Sequence, residues 1–484
     1  MTLLDQQVIT KNWINGEWVK GDGDPLTVRN PANLKETIGE LTLSTSVQVK
    51  AAEESARNAL QSWKSTTGNE RGQYLYKMAN ALEQNAEALA ELATKEMGKP
   101  IGEMKGEVAR GVQLLRYYAG EGVRSDGDVI PSTAQGVLQY SKRIPLGVVG
   151  LITPWNFPVA IPIWKLAPAL ICGNTVVWKP AENSSLSAYK LCQIFEEAGI
   201  PKGVINLVIG KGSEIGSYLV ERTSINGLSF TGSTATGTNI AAISAQRNIK
   251  YQTEMGGKNA AVVLKDADLS TTVAPILSGT FRSAGQKCTA SSRIIVEEAI
   301  YDEFVTALQK EMKNVRLDYP LHEDSYLGPV ASRAQYAKVQ SYVELAKQEA
   351  EIIYENKDQP EYEGYYVNPL VVAGVANDHP LAKEEIFGPL TVVIKAKDYQ
   401  DAIEILNDSE YGLSGSIFTN DLSKAHQFLE DAEIGMVRAN LETAGVEYQA
   451  PFGGLKQSSS HTREQGQAAL NFYSNLKTCA IKYK

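Results

Sequence analysis

Short apolar runs alternate with segments of helical period between Leu146 and Leu264. The extended runs are Val148 to Ile152, Thr175 to Trp178, Ile205 to Val208 and Gly227 to Phe230. Helices are expected from about Val159, over Ser185 to Ala198, near Ser213 to Val220, and over Ser233 to Gln246. Such alternation predicts a mostly parallel sheet covered by helices on both faces, with ligands at the carboxyl ends of the strands. The second half, about 256 to 450, repeats the alternation with strands at Ala260 to Leu264, Arg293 to Val296, Thr391 to Lys395 and Ser416 to Phe418, without an internal sequence repeat.

Ahead of these halves the pattern differs. Residues 1 to 50 carry turn signals, Trp13-Ile-Asn-Gly-Glu-Trp18 and Asn30-Pro-Ala-Asn33, between short strands, and read as a small appended ribbon. From Ser46 to Gly120, Leu60, Trp63, Leu75, Met78, Leu82, Leu89 and Leu92 recur at helical spacing, which predicts several amphipathic helices over one sheet face. Gly127 to Pro131 and Gly136 to Arg143 read as a hairpin arm, and Leu470 to Lys484 as a final strand. Ile144 to Trp164 lacks a formal charge for long enough to cross a bilayer. Pro145, Pro154, Pro158 and Pro162 would break such a helix repeatedly, so the stretch is expected to be buried strand, loop and helix start.

A chain of 484 residues, 43% hydrophobic and 21% charged, is long enough for two or three domains. Its net charge of -9 argues against nucleic acid or an anionic membrane surface as partner and points to a small-molecule ligand. Cys172, Cys192, Cys288 and Cys479 are widely spaced, as are the four histidines, so neither a disulfide framework nor a metal site is indicated. The thiols fit a reduced, cytoplasmic setting, and Met1 to Gln7 has no signal-peptide pattern.

Three segments carry candidate chemistry. In Gly279-Thr-Phe-Arg-Ser-Ala-Gly-Gln-Lys-Cys288, the thiol sits among small residues at an expected loop-to-helix transition. A thiolate there, near a helix N-terminus or Lys287, would be a nucleophile, whereas a buried free cysteine would be a small hydrophobe. Glu254 precedes two glycines at a strand end and is a candidate general base. Asn156, within Thr153-Pro-Trp-Asn-Phe-Pro158, offers a rigid amide to a developing oxyanion. Together the three suggest acyl chemistry.

Pro154-Trp-Asn-Phe-Pro158, Trp178-Lys-Pro-Ala-Glu182, Phe230-Thr-Gly-Ser233, Glu254-Met-Gly-Gly-Lys258, Gly285-Gln-Lys-Cys288 and Glu385-Ile-Phe-Gly-Pro389 resemble, in order, the motifs of the aldehyde dehydrogenase superfamily. In detail the chain is most similar to bacterial dehydrogenases of alpha-ketoglutaric semialdehyde (2,5-dioxopentanoate), with succinate-semialdehyde dehydrogenases as near relatives. The resemblance implies an α/β fold: a Rossmann-like dinucleotide-binding domain over 1-126 and 144-255, an α/β catalytic domain over 256-450, and a small β oligomerisation arm and tail over 127-143 and 451-484 of a homodimer or homotetramer. It implies NAD or NADP as cofactor and an aldehyde as substrate. Cys288 would attack the aldehyde, Asn156 and the Cys288 N–H would hold the oxyanion, and Glu254 would activate the hydrolytic water. CoA-acylating enzymes and non-catalytic proteins of the same fold are the alternatives.

For the cofactor the resemblance implicates Trp155, with Lys179 and Glu182 at the adenosine ribose, Gly232 and Ser233 at the pyrophosphate, and Glu385 and Phe387 at the nicotinamide ribose. Lys165 and Glu464 resemble a pair used for proton transfer or support. Arg282, six residues before Cys288, matches an arginine that holds a distal carboxylate. Trp164 replaces the cation found before the lysine in succinate-semialdehyde dehydrogenases, and the segment Pro451 to Glu464, with Ser458, has one more residue than usual. Both differences fall on the expected substrate side.

Overall fold

The computed structural model describes residues 8–124 and 126–483. Two seven-stranded sheets organise it. The first runs Lys250–Glu254, Gly227–Thr231, Val148–Thr153, Thr175–Pro180, Ile205–Leu207, Asn12–Ile14 and Glu17–Val19; its first five strands are parallel and the last two antiparallel. The last two are the Trp13 to Trp18 ribbon, so that ribbon is the sheet's edge rather than an appendage. It turns on Asn15 and Gly16, with φ of 54° and 70°, the left-handed pair that a two-residue hairpin requires. A separate three-stranded sheet has Asn33–Thr42 at its centre, with Val8–Ile9 parallel on one side and Pro25–Asn30 antiparallel on the other.

The second sheet runs Glu351–Glu355, Leu370–Ala373, Leu390–Ala396, Ser291–Glu297, Asn259–Val263, Ser414–Phe418 and Met436–Ala439, parallel except for its first strand. Four of these strands are legible as apolar runs. Leu370–Ala373, though apolar, is not among the strands expected from the sequence, and neither are Glu351–Glu355, charged at both ends, and the short Met436–Ala439. This is an α/β fold, as the alternation predicts. Its two sheets are joined by Met255 to Lys258 alone between strands Lys250–Glu254 and Asn259–Val263.

Helices Ser46–Ser65, Gly68–Gln84, Ala86–Met97 and Ile101–Glu121 fill the expected helical region. The first two begin in capping boxes, Thr45 with Gln48 and Thr67 with Glu70, each satisfying donors that the helix cannot. Val137–Pro145 pairs with the tail strand Ser474–Lys482 and with Val129–Ile130 in a three-stranded ribbon. The charge-free stretch divides into the strand Val148–Thr153 and the helix Ala160–Ile171, and no helix among the described residues is long and apolar enough to cross a membrane.

Glu96 links two of these helices. Its carboxylate accepts from the Leu186 and Ser187 amides at 2.7 and 2.9 Å, capping Ser185–Glu197 from outside. Complete burial outweighs those bonds and raises its pKa to about 7. A folded pKa above the unfolded one means that stability falls as pH rises from about 4.5 through 7, by up to about 3 kcal/mol from this group. Glu96→Gln should flatten that fall, and urea midpoints at pH 5 and pH 8 measure it; an unaltered pH slope would refute the assignment.

Candidate active site

Cys288 does not open a helix. The helix Leu269–Phe281 ends, a short turn covers Arg282–Gly285, and Cys288 lies in the next turn, before the strand Ser291–Glu297. The expected helix N-terminus, and the lowered thiol pKa it would confer, are therefore absent. Desolvation, then the charges of Glu254 and Glu385, push the Cys288 thiol up to about 12. The loop is held in a strained path: Ser283, Ala284 and Gly285 have φ of 58°, 54° and 68°. Glu103, from the helix Ile101–Glu121, accepts from the Ser283 amide at 3.0 Å and its hydroxyl at 2.7 Å. At Gly285 a Cβ would stand 2.3 Å from the Gly388 carbonyl, so no larger residue fits.

The inter-sheet crossing fixes the same loop from the other side. Asn259 Nδ2 donates to the carbonyls of Cys288 and Ala290 at 2.8 and 2.9 Å, and its Oδ1 accepts from the Ser414 amide at 3.0 Å. Gly257 leaves room, since a Cβ there would approach the Cys288 carbonyl to 2.7 Å.

Asn156 follows the strand Val148–Thr153 and reaches the Cys288 loop, its amide donating to the Gln286 carbonyl at 2.9 Å and keeping a second N–H. Its own carbonyl accepts from Lys99 at 2.7 Å. Lys99 is paired with Glu107 at 2.6 Å, both buried, and Glu107 also accepts from the amides of Val159 and Ala160 at 2.8 and 3.0 Å. Breaking such a buried pair costs about 3–5 kcal/mol, so this clamp sets where the Asn156 loop sits.

Glu254 ends the edge strand of the first sheet and is buried. Its Oε2 accepts from Ser459 at 2.7 Å, while Oε1 has no partner. Burial and the neighbouring Glu464 carboxylate raise its pKa well above the usual range. Lys165 pairs with Glu464, and both bond Ser229, at 2.8 and 3.1 Å, so these two form one buried cluster behind Glu254.

Cys288 opens into a cavity of about 300 Å³ whose lining includes Trp164, Arg282, Phe452, Arg110 and Gln465. Trp164 and Phe452 stack with ring centroids 5.3 Å apart. The Arg282 guanidinium lies 4.3 Å from the Tyr326 ring and makes no ion pair among the described residues. Ser458 departs from its expected place. It is absent from this lining, and its hydroxyl accepts from the Gly412 amide at 3.0 Å, while the next residue, Ser459, bonds Glu254.

The cofactor candidates gather on another side. Ser233 caps the helix Thr234–Gln246, and its N-terminus faces Glu385 across a cleft of about 800 Å³. Glu385 accepts from the Gly257 amide at 3.1 Å, and a Cβ at Gly256 would meet its carboxylate at 2.7 Å. Phe387, at φ 61°, packs edge-on against Trp155 at 5.6 Å. Lys179 reaches Glu182 at 3.4 Å, and Glu182 accepts from the Gly212 amide at 2.8 Å. Gly232 donates to the Glu254 carbonyl at 3.0 Å, coupling this loop to the candidate base. An amide-bearing helix start, an acid and an aromatic flank fit a dinucleotide. In the first sheet these residues lie at strand carboxyl ends, as expected, whereas Cys288 and Phe387 precede their strands in the second.

Residues 18–479 match the model of the aldehyde dehydrogenase family. The chain belongs to the aldehyde dehydrogenase family. Over the whole length of both chains it is 48% identical to an alpha-ketoglutaric semialdehyde dehydrogenase of Bacillus subtilis. It is 40% identical to a 2,5-dioxopentanoate dehydrogenase of Saccharolobus solfataricus, over 96% of this chain and 97% of that one. Among solved structures, betaine aldehyde dehydrogenase of Staphylococcus aureus in complex with NAD+ superposes with a TM-score of 0.95 at 33% identity, covering 100% of this chain and 96% of that one.

Asn259, Lys99, Glu107, Glu103, Arg110 and Gln465 escaped the sequence reading. Asn259 directly follows the Glu254 to Lys258 motif and Gln465 adjoins Glu464; the rest become visible through contacts from distant segments.

With the thiol pKa raised to about 12, the thiolate fraction in the cofactor-free protein climbs about tenfold per pH unit across neutral pH. Iodoacetamide labelling of Cys288, followed by peptide mass spectrometry between pH 7 and 10, should rise with a slope near one. A plateau reached below pH 8 would contradict it.

Proposed function

We propose that this protein oxidises 2,5-dioxopentanoate to 2-oxoglutarate with NAD(P)+, acting in the cytoplasm as a homo-oligomer. The observation that carries the reading is Arg282, a cation with no ion pair among the described residues, in the cavity that Cys288 opens into. A guanidinium free of internal pairing takes a carboxylate bidentately. The names of the two relatives point the same way.

In the proposed reaction the Cys288 thiol releases its proton to solvent, and the thiolate sulfur bonds to the aldehyde carbon. The carbonyl oxygen becomes an oxyanion that accepts from the free Asn156 N–H and the Cys288 amide. Glu385, Ser233 and Glu182 would hold the bound dinucleotide, which supplies the acceptor for the hydride lost from that carbon. Glu254 then takes a proton from water, the water oxygen bonds to the thioester carbon, and the C–S bond breaks to release the acid. Its Oε1, without a hydrogen-bond partner among the described residues, can accept from that water, and its raised pKa makes it a stronger base than an ordinary carboxylate. Lys165 and Glu464 lie behind it, where a proton can pass on through Ser229.

The oligomer reading rests on the ribbon of Val129–Ile130, Val137–Pro145 and Ser474–Lys482. Val129, Leu476 and Ile481 are exposed on it to 79%, 64% and 52%, apolar surface that a second copy would cover.

Two sets of measurements test the chemistry and the substrate. Cys288→Ala should abolish both reduced-cofactor formation and hydrolysis of an activated ester, while Glu254→Gln should retain a first-turnover burst with slow steady turnover. Full aldehyde turnover by Cys288→Ala would overturn the nucleophile. Arg282→Met should lower kcat/KM for 2,5-dioxopentanoate by about thirtyfold or more, from the cost of unpairing a bound carboxylate, and hardly alter that for pentanal. Equal losses on both aldehydes would make Arg282 a support for the loop.

A further inference from the structure

A second unpaired arginine lines the Cys288 cavity. Arg110 lies midway along the helix Ile101–Glu121, half-buried, and forms no ion pair among the described residues. The acids whose charges it feels are Glu107 and Glu447. Glu107 is spent on Lys99 and on the amides of Val159 and Ala160, and Glu447 accepts from Gln449. Desolvation pulls the Arg110 pKa below the ordinary arginine value, as expected of a cation short of counter-charge.

The guanidinium is held in one orientation. At the next residue, Gly111, a Cβ would stand 2.7 Å from Ile163 Cδ1, so the helix packs closely on Ala160–Ile171, which carries Trp164. Nη2 donates to the Val446 carbonyl and to Gln465 Oε1, the latter at 2.9 Å, and these two bonds use both of its hydrogens. Nε and Nη1 make no hydrogen bond among the described residues, and neither is sealed from solvent, so Arg110 has open donors where it lines the cavity.

The spent Nη2 decides what Arg110 can bind. A guanidinium grips a carboxylate with two parallel N–H groups, and each such fork includes Nη2, paired with Nη1 at the end of the group or with Nε along its side. Arg110 therefore offers charge and a single hydrogen bond. Arg282 lies over the Tyr326 ring and is held by no such pair of bonds, so it keeps its fork.

We propose that Arg110 is a second specificity-determining cation of this cavity, giving one hydrogen bond to the far-end carboxylate of the substrate while Arg282 takes that carboxylate as a fork. The inference rests on the proposed function and adds a residue to it from a separate element. An ionised carboxylate has about four lone-pair sites, so it accepts a fork and a further N–H together. Both cations line a space of only about 300 Å³, where exclusion of water strengthens the pull of each on an anion.

The test compares kcat/KM for 2,5-dioxopentanoate, 5-oxopentanoate and pentanal, the first two anionic at the far end and the third uncharged. Arg110→Gln, which keeps a donor for the Val446 carbonyl but no charge, should lower the value for both acids by about tenfold and alter that for pentanal by about twofold at most. Arg110→Lys keeps the charge without both bonds of Nη2, and should retain most of the preference for the acids. Equal losses on acids and pentanal in Arg110→Gln overturn the inference, Arg110 then being a brace between Val446 and Gln465. An Arg110→Lys enzyme as unselective as Arg110→Gln overturns it too, because charge is then not what the cavity reads. Burst titration with pentanal counts active sites, so partial misfolding cannot imitate selectivity, and Arg110→Met, likewise uncharged, replaces an Arg110→Gln that does not fold. Should Arg282→Met penalise the acids alone while Arg110→Gln spares them, the inference falls and the proposed function stands. If neither variant separates acids from pentanal, both fall.

Discussion

The crossing from Glu254 to Asn259 is the constraint on which the site depends. One chain segment leaves the edge of the first sheet and enters the middle of the second within four residues, so the position of one sheet dictates that of the other. Glu254 is the last residue on one side and Asn259 the first on the other. Asn259 uses both N–H groups and its oxygen on the Cys288 loop and the adjoining strand, and this saturated amide ties the candidate nucleophile to the crossing. Gly256 and Gly257 are required because Glu385 and the Cys288 carbonyl approach too closely for any side chain.

Around this crossing the protein buries an unusual amount of charge. Lys99 with Glu107 and Lys165 with Glu464 are matched pairs, each with further hydrogen bonds, which offsets the desolvation that would otherwise make them costly. Glu254 is different: it has one serine for a partner and another carboxylate for a neighbour. The paired groups hold loops in place, and the poorly satisfied ones, Glu254 and Cys288, have their protonation displaced toward neutral forms. Reactivity and rigidity thus come from the same low-dielectric setting, applied to groups with and without counter-charges.

Part of the backbone strain lies near the site: Ser283, Ala284, Phe387 and Gln465 are left-handed without being glycine, as are Asn15, Asn248, Asn440 and Lys456. Neighbours hold those near the site in place: Glu103 grips Ser283, Gln335 donates to the Phe387 carbonyl at 2.7 Å, and Arg110 holds Gln465. Free energy invested in these conformations sets side-chain directions that relaxed loops would not keep.

Periodicity alone made the parallel sheets and their helices legible, because a strand buried on both faces must be apolar throughout and an amphipathic helix must repeat at its own pitch. The motifs around Asn156, Glu254 and Cys288 were equally readable, since few chemistries need those groups beside glycine and proline. Tertiary structure alone decided the rest. Cys288 precedes a strand and not a helix, so its thiol gains no help from a helix dipole. Ser458, expected on the substrate side, instead bonds the Gly412 amide from within a turn, and its neighbour Ser459 reaches Glu254. Gln465 is held by Arg110, 355 residues away in sequence. Contacts of that range leave no local pattern, and the fold has to form before the two residues have any relation.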